Sequence, residues 1–302
     1  MSQLATMSVH KSVLLKESID GLNIQPGDIY LDGTLGSAGH AKYALEKANG
    51  NITVVGLDRD IDALDRSKKN LPSERVFLKQ SSYGEMDKVL DELGIGKVNR
   101  IMLDLGLSSD QFETSGRGFT FKNDEPLLMT FSKNPDVDDL TSGYIVNNWS
   151  ESSIADIIFG YGEERYARKI SKSIVIYRQK KKIETTGELV EIINQSVPGM
   201  YKRGRIHPAT RTFQALRIAV NDELNTLKEG LANGFDRLEK GGRMAVISFH
   251  SLEDRIVKHF NIEKKEAGMA NIITKKPIEA SEEEIQNNPR SRSAKLRIIE
   301  KI

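Results

Sequence analysis

Three glycines follow a short β-rich run near the start of the chain. Gly33, Gly36 and Gly39 come directly after Asp32. Glycines at a strand-to-helix turn let the backbone bend sharply and approach a ligand closely, and the first turn of the helix adds unpaired N–H donors. Asp58 ends a second apolar run, and a carboxylate at that spacing can accept hydrogen bonds from the hydroxyls of a ribose. The pattern predicts a nucleoside site, and the alternative is an ordinary tight turn with a surface aspartate.

The spacing of these glycines distinguishes between nucleoside cofactors. A dinucleotide site favours G-x-G-x-x-G and a P-loop requires G-x-x-x-x-G-K-[ST], whereas the chain has G-x-x-G-x-x-G. S-adenosyl-L-methionine has no pyrophosphate to hold, and the carboxylate of Asp32 can serve its cationic aminoacyl end. We therefore predict S-adenosyl-L-methionine as the cofactor. A nicotinamide-dependent oxidoreductase on a similar sheet is the alternative, and binding of radiolabelled S-adenosyl-L-methionine against NAD would separate the two.

Polar residues also end two later apolar runs, Arg100–Leu105 and Arg243–Phe249. Asp104 lies near the end of the first run, where we expect it at the tip of a strand, and the polar segment 248–255 follows the second. Because the carboxyl ends of parallel strands share one edge of a sheet, we expect both to lie beside the cofactor crevice. The structural alternatives are an aspartate that caps a strand end and a helix cap at Ser251, which explains only part of the polar cluster.

Alternating strand and helix signals must position these residues. The alternation runs through roughly the first hundred residues, gives way to loop-rich and then helical patterns, and returns near residue 211. It predicts an α/β fold with a doubly wound parallel sheet, in which a helical insertion at 110–210 separates the parts 1–109 and 211–302. The predicted strands are Ile29–Asp32, Ile52–Leu57, Arg75–Lys79, Arg100–Leu105, Arg243–Phe249 and Ala294–Ile299. The predicted helices include Ala41–Ala48, Ile61–Asn70, Met86–Leu93, one long stretch over Pro208–Leu238 that is either straight or kinked, Ser251–Phe260, the short Ser281–Gln286, and a helix opened by a capping box at Thr185–Glu188.

The composition excludes other classes of protein. The 302 residues are 38% hydrophobic and 29% charged, which is typical of a soluble protein with a sizeable core. The chain has no cysteine, and this excludes disulfide frameworks and thiolate catalysis. The first residues do not resemble a signal peptide, and no apolar stretch approaches the length of a membrane span. These features favour a cytoplasmic protein without a membrane partner. No cluster of His, Asp and Glu has the spacing of metal ligands, so we predict no catalytic metal.

Basic residues are concentrated in the helical insertion. The whole chain has 44 Lys and Arg residues against 43 Asp and Glu, a net charge of +1, but Gly160–Arg217 alone has 13 against 5. Summed positive charge binds phosphates, and interspersed tyrosines can stack on unpaired bases, so the segment predicts a nucleic-acid partner rather than an ordinary solvated face. The predicted RNA-binding residues are Arg165, Arg168, Lys169, Lys180, Lys181, Lys182, Lys202, Arg203, Arg205 and Arg211.

Several specific strings, in order along nearly the whole chain, resemble one known family. They are His10–Leu15, Asp32–His40, Asp104–Gln111, Arg117–Phe119, Gly162–Arg165, Thr210–Glu223, Ser248–Val257 and Asn288–Ala294. The chain resembles the ribosomal RNA small subunit methyltransferase H family. The resemblance implies a Rossmann-like methyltransferase domain with a helical RNA-recognition domain, and S-adenosyl-L-methionine-dependent methylation of N4 of a cytosine in the decoding region of 16S rRNA. Free 16S rRNA or an assembled small ribosomal subunit as substrate, and a homodimer as the oligomeric state, stay open.

The resemblance also implies particular cofactor contacts and shows two departures from the family pattern. The implied contacts are Ala38, Gly39, His40, Asp58, Tyr83, Asp104 and Gln111, in addition to Asp32 and Gly36. The family usually has a glycine where Ala38 stands, and we expect the alanine to fit there if its φ is negative. The segment Pro126–Phe131 reads Pro-Leu-Leu-Met-Thr-Phe, where the family commonly has Pro-Leu-Asp-Met-Arg-Met, so an acidic and a basic residue are lost together.

A chemical hypothesis follows from the implied substrate. The cytosine amine is a poor nucleophile because its lone pair is delocalised into the ring, and acceptors for its N–H groups favour the charge that develops as the methyl group arrives. The chain has no Pro-Pro sequence of the kind that DNA amino-methyltransferases use. We expect the carboxylate at 104 and a serine hydroxyl after it to accept from the amine, and the turn at 248–250 to position an unstacked base. The predicted catalytic residues are therefore Asp104, Ser108, Ser109, Ser248, Phe249 and His250.

A second class of function stays open beside this enzyme. A catalytically altered RNA-binding or ribosome-assembly factor would keep the same fold without methyl transfer. The altered loop at 126–131 favours that alternative, whereas the intact glycine turn, Asp58 and Asp104 favour catalysis.

Overall fold

The computed structural model describes residues 11–71, 74–107, 112, 115–133, 135 and 139–302. The predicted site residues Ser108, Ser109 and Gln111, and the start of the first matching string at His10, lie outside the described residues. The chain forms two units. One combines the described residues up to Gly106 with Asn225–Ile302, and the other is Leu107–Leu224.

The first unit contains every named strand and seven helices among the described residues. The strands are β1 (Ile29–Asp32), β2 (Thr53–Asp58), β3 (Val76–Gln80), β4 (Val98–Asp104), β5 (Leu238–Ser248), β6 (Ala270–Ile272), β7 (Ile278–Glu279) and β8 (Lys295–Lys301). The helices are α1 (Leu15–Leu22), α2 (Gly39–Lys47), α3 (Ile61–Asn70), α4 (Met86–Glu92), then, after the second unit, α11 (Glu223–Arg237), α12 (Ser251–Glu266) and α13 (Glu282–Asn287), of which α11 begins two residues before the boundary.

These strands form one sheet that confirms the predicted α/β, doubly wound architecture. The order is β3–β2–β1–β4–β5–β8–β6, and β7 also pairs with β8. Strands β1 to β5 are parallel, whereas β8 is antiparallel to β5. The order reverses at β1, because β2 lies on one side of it and β4 on the other. Ligands of open parallel sheets bind at such a switch point, beyond the carboxyl ends of the strands.

Helices cover both faces of this sheet, as the near-continuous apolar strands require. The alternation of side chains along β1 illustrates the arrangement. Tyr30 packs on one face in a cluster that includes Ile19 of α1 and residues of α2 and α3. Leu31 points to the opposite face, where it packs in a cluster with Leu90 of α4 and Phe235 of α11. Packing on both faces fixes the positions of the carboxyl ends of β1, β2 and β4.

The second unit is helical around a core of its own. Its helices are α5 (Ser142–Asn148), α6 (Glu151–Gly162), α7 (Ala167–Arg178), α8 (Thr186–Ser196), α9 (Gly199–Lys202) and α10 (Ala209–Asn221). Ile154, Ile170, Ile193 and Phe213, one from each of four helices, belong to one buried apolar cluster. The predicted capping box is confirmed, since the side chain of Thr185 accepts from the backbone of α8 and the reciprocal bond is present.

The structure refines two features expected from the sequence. The long helical stretch predicted over Pro208–Leu238 divides into two helices, because Asp222 adopts a left-handed conformation with φ of 48° and separates α10 from α11. The helix cap considered at Ser251 as an alternative lies one residue earlier, since the N-cap of α12 is His250. Helix α1 and the short strands β6 and β7 carry no pattern strong enough to have been predicted. No helix in the described ranges combines the length and apolar character that crossing a bilayer needs.

Candidate active site

The glycine turn joins the end of β1 to the start of α2. Gly36 has a φ of 54°, a conformation that favours glycine, and its N–H donates to Oδ2 of Asp58 at 2.9 Å. The N–H of Asp60 donates to the other oxygen of Asp58 at 2.8 Å. Burial raises the pKa of Asp58. Its carboxylate is therefore fixed beside the turn, and each oxygen keeps further lone-pair capacity for a hydroxyl group.

Ala38 adopts a conformation that alanine disfavours. Its φ is 64° and its side chain is fully buried in the apolar cluster below the turn. The condition of a negative φ, under which we expected the alanine to fit, is therefore not met. A left-handed conformation costs an alanine roughly 1–2 kcal/mol, because Cβ approaches the following carbonyl oxygen. The turn keeps the geometry that a glycine would allow although the residue has changed.

Substitutions at this position should separate backbone strain from side-chain volume. We expect Ala38→Val to lower the free energy of unfolding by about 2–3 kcal/mol, because a β-branched residue adds strain and buried volume at a positive φ. Ala38→Gly should change it by less than about 1 kcal/mol, since relief of strain is offset by the lost methyl group and the freer unfolded chain. Urea denaturation of the cofactor-free protein measures both. Equal midpoints for Ala38→Val and the wild type would contradict the strained geometry.

Ser12 and Val13 contact the glycine turn. A Cβ at Gly39 would lie 1.9 Å from Oγ of Ser12, so only glycine permits this approach. Nε2 of His40 donates to the carbonyl oxygen of Val13 at 3.1 Å, and the histidine is buried. The same segment is bound to α13, because the N–H of Leu14 donates to Oε1 of Glu284 at 2.8 Å.

Asp32 is buried beneath the turn rather than exposed on it. Oδ2 accepts from the hydroxyl of Tyr30 at 3.2 Å, and Oδ1 accepts from the N–H of Thr34 at 3.2 Å. Burial, opposed by these hydrogen bonds, raises the pKa of Asp32 to about 7. A cation bound at the turn would favour the ionised form of this carboxyl.

This pKa predicts how the stability of the cofactor-free protein depends on pH. Because the pKa of Asp32 rises from 3.8 in the unfolded chain to about 7, the folded state binds more protons between these values. Stability should therefore fall as the pH rises through this window, with a slope of up to about 1.4 kcal/mol per pH unit from this group. Urea denaturation between pH 5 and pH 8 measures the slope. We expect Asp32→Asn to flatten it, and an unchanged slope in that variant would contradict the assignment.

Asp104 is the last residue of β4, as predicted, and lies near Asp32. Its N–H donates to Oγ1 of Thr34 at 2.6 Å, and Oδ2 lies 3.8 Å from Nδ1 of His40. The side chain is about 20% exposed, but Oδ1 is buried and has no hydrogen-bond partner among the described residues. Burial, with the nearby charges of Asp32 and Glu253, raises the pKa of Asp104 well above its ordinary value. A buried oxygen without a partner costs stability, which is typical of functional sites.

The turn between β5 and α12 is ordered by Glu253. Its Oε2 accepts from the N–H of Phe249 at 2.8 Å and from that of His250 at 3.2 Å. The ring of His250 closes the capping box by accepting from the N–H of Glu253. The hydroxyl of Ser248 donates to the carbonyl oxygen of Lys295 at 3.4 Å. The polar cluster that we predicted to face a substrate thus makes a helix cap of its own.

The ring of Phe249, which follows β5, lies against the backbone just beyond the end of β4. A Cβ at Gly106 would approach Cδ2 of the phenylalanine ring to 3.3 Å, so the ring packs on the backbone two residues after Asp104. Sequence reasoning placed both residues at this edge but missed Thr34 and Glu253, which hold them. The spacing of His250 and Glu253, three residues apart, is the capping-box signal that could have found the second.

Tyr83 follows β3 as the first residue of a short 3₁₀ helix, Tyr83–Glu85. A Cβ at Gly33 would meet Cβ of Tyr83 at 2.8 Å, so the tyrosine backbone borders the glycine turn. Its ring, however, packs against Gly230 of α11. The predicted cofactor residues Asp32, Gly36, Ala38, Gly39, His40, Asp58, Tyr83 and Asp104 therefore gather around the carboxyl ends of β1 to β4.

The predicted RNA-binding residues lie at the surface of the helical unit. All ten are exposed except Arg211, which is half-buried. Arg211 donates to the carbonyl oxygen of Glu163 at 3.0 Å, and Lys181 pairs with Glu188. The other members of the set keep their charges available to a partner.

The altered loop at 126–131 is fixed by aromatic packing and by hydrogen bonds to its backbone. The ring of Phe131 stacks on that of Phe119, with centroids 5.9 Å apart. Asn221 fixes the loop backbone by accepting from the N–H of Phe131 at 2.8 Å and donating to the carbonyl oxygen of Met129 at 2.7 Å. Thr130, at the position where the family commonly has a basic residue, is buried and its hydroxyl donates to the carbonyl oxygen of Ser132 at 3.0 Å.

Comparison with known proteins identifies the family. The model of the MraW methylase family matches residues 7–302. The chain belongs to this family. A relative named ribosomal RNA small subunit methyltransferase H, from Lachnospira eligens, is 45% identical over 312 residues, covering 97% of this chain and 98% of the relative. A relative of the same name from Sulfurihydrogenibium sp. is 46% identical over 298 residues, covering 98% of this chain and all of the relative.

The family model and these two relatives match nearly the whole chain, whereas one solved structure aligns with it at lower similarity. A putative methyltransferase from Streptococcus mutans in complex with SAH aligns with a TM-score of 0.47 and 13% identity, over 97% of this chain and all of that chain. The predicted family resemblance is confirmed by the family model and by the curated relatives.

Proposed function

We propose that the protein transfers a methyl group from S-adenosyl-L-methionine to N4 of a cytosine in the decoding region of 16S rRNA. Family membership and the names of the relatives support a small-subunit rRNA methyltransferase. The observation that carries the finer assignment is the buried, unpartnered Oδ1 of Asp104 beside the glycine turn. An exocyclic amine is the kind of group that this acceptor would satisfy.

The residues around the turn fit the proposed cofactor. Asp58 is fixed by two backbone N–H groups and can accept from the ribose hydroxyls, while Asp32 places negative charge beneath the turn. When bound, S-adenosyl-L-methionine supplies an electrophilic methyl group next to the carboxyl ends of the strands. The chain's own part is to orient the cofactor, which converts a bimolecular collision into a positioned approach.

Asp104 performs the proton chemistry in this proposal. Its Oδ1 accepts a hydrogen bond from the amine, which favours the positive charge that develops on nitrogen as the new N–C bond forms. The bond between the methyl group and the sulfonium sulfur would break in the same step and leave its electron pair on sulfur. The nitrogen then loses one proton, and the carboxylate takes it. The raised pKa of Asp104 makes it a better proton acceptor than an exposed aspartate, provided that it is ionised. The serines at 108 and 109 and Gln111 stay predictions.

The turn at 248–250 serves the target base. Phe249 presents an aromatic ring beside the end of β4, where an unstacked cytosine could rest against it. His250 acts through the turn as a positioning residue, since its ring caps α12. We further propose that the helical unit contributes the basic RNA-binding surface, and that the protein acts in the cytoplasm on free RNA or on assembled subunits, as a monomer or a homodimer.

Mass mapping of small-subunit RNA tests this function. We expect RNA from a strain that lacks the gene to lose one methyl group from a cytosine, and the wild-type gene to restore it. Purified enzyme assayed on free 16S rRNA and on assembled subunits from that strain identifies the substrate. If no cytosine loses a methyl group, the substrate assignment fails. Binding of RNA with no transfer on either substrate would instead favour an assembly factor.

A further inference from the structure

The helical unit contains a groove lined by three arginines and no acidic residue. Its volume is about 530 Å³, within the range of pockets that hold small ligands. Arg165, Arg205 and Arg211 line it together with Tyr166, Tyr201 and the strongly exposed Met200. Guanidinium groups bind phosphate through paired donors and also stack on planar rings. The groove therefore combines the two chemistries that a nucleotide presents.

The aromatic wall of this groove is arranged around Arg165. Its guanidinium lies 4.9 Å from the ring centroid of Tyr166 and 5.0 Å from that of Tyr201. The two rings meet edge to face, with centroids 4.9 Å apart. Cation–π contacts of this kind hold the guanidinium without neutralising it. The positive charge at the wall is thus positioned in advance of any ligand.

A buried carboxylate holds the hydroxyl of one tyrosine and the backbone of the other. Glu164 is fully buried, and its Oε1 accepts from the N–H of Tyr166 at 2.8 Å while Oε2 accepts from the hydroxyl of Tyr201. Burial and this hydrogen bond raise the pKa of Tyr201 to about 12, so the hydroxyl stays a donor. Because burying a carboxylate is costly, its retention here points to a need for a defined ring geometry.

We infer that this groove is a subsite for single-stranded RNA, which takes one backbone phosphate on its arginines and an adjacent unpaired base on its apolar wall, with Glu164 as the positioning residue. The inference rests on the proposed RNA substrate. It goes beyond that proposal because it specifies single-stranded RNA and the groove that binds it. A duplex keeps its bases stacked inside and presents phosphates on a convex surface, so it fits a concave aromatic groove poorly. Single strands bind to such combinations of charge and stacking surface without sequence preference.

Charge reversal inside and outside the groove tests the inference. The probe is a fluorescein-labelled oligouridine of about 12 nucleotides, alone or paired with oligoadenosine, and binding is measured by anisotropy. We expect the wild type to bind the single strand at least about 10-fold more tightly than the duplex, and Arg205→Glu to lower single-strand affinity by about 10-fold or more. Lys172→Glu is the matched control, because Lys172 is exposed on α7 outside the groove, and it should lower affinity by less than about 3-fold. Equal losses in both variants, or equal affinity for both probes, would overturn the inference.

Glu164→Gln tests the positioning role. We expect it to raise KM for RNA by about 10-fold with kcat unchanged and with cofactor affinity unchanged, because the amide cannot accept from both donors. Tyr201→Phe, which removes one of these bonds, should give a smaller rise in KM. A purely structural role for Glu164 would instead lower the melting temperature and the active fraction and leave KM unchanged. If the wild type binds single strands but methylates no RNA, the proposed function fails while the groove assignment stands.

Discussion

Asp104→Asn is expected to lower kcat for methyl transfer by about 100- to 1,000-fold while the protein stays folded. Asparagine keeps the shape of the side chain and can accept one hydrogen bond, but it cannot take the proton that the amine loses. Because the substitution removes a buried carboxyl whose pKa is raised well above its usual value, we do not expect the free energy of unfolding at pH 8 to fall. Single-turnover assays at saturating cofactor measure the rate, and urea denaturation measures the stability.

Asp65→Asn is the control for this change. Asp65 lies on α3 with its side chain 64% exposed, so the same chemical substitution should leave the rate unchanged. An Asp104→Asn variant that turns over at the wild-type rate would remove Asp104 from the chemistry. A variant that is slow only because it binds the cofactor weakly would assign Asp104 to binding instead, and calorimetric titration of the cofactor distinguishes the two.

Asp58→Ala should weaken the binding of S-adenosyl-L-methionine by about 100-fold. The substitution removes the acceptor proposed for the ribose hydroxyls, and hydrogen bonds to a charged group contribute roughly 1.5–3 kcal/mol each. It also leaves the N–H groups of Gly36 and Asp60 without their acceptor, so the turn itself should loosen. Calorimetric titration of the cofactor measures the loss, with Asp65→Ala as the control. Affinity within about 3-fold of the wild type would show that Asp58 does not hold the cofactor.

The spacing of residues predicted the frame of this site well. Strand ends and glycines are local signals, so the sequence alone assigns Asp32, Asp58 and Asp104 to one edge of the sheet. The right-handed crossover rule for parallel strands then brings those ends together. These three carboxylates could be placed together because short segments of sequence are enough to predict where each strand ends.

Other features depend on contacts between distant residues, which a single sequence does not encode locally. The hydrogen bond from the N–H of Asp104 to Thr34 joins residues 70 positions apart. Ala38 and Asp222 both have positive φ values, and of the two residue types only aspartate is enriched in that conformation. The position of the break within the long helical stretch was not predicted, because the apolar spacing continues through residue 222.

Residues 11–14, which lie against the glycine turn, are hydrogen-bonded to α13 and to the residue that follows it. Besides the bond from Leu14 to Glu284, Asn288 donates to the carbonyl oxygen of Lys11 at 3.0 Å, and Ser12 between them lies against Gly39. During synthesis, these two hydrogen bonds can form only after residue 288 has left the ribosome. Contacts of such high sequence separation form late, because closing the loop between them costs entropy first. A nascent chain that ends before Glu284 would thus lack both contacts on the segment that lies against the glycine turn.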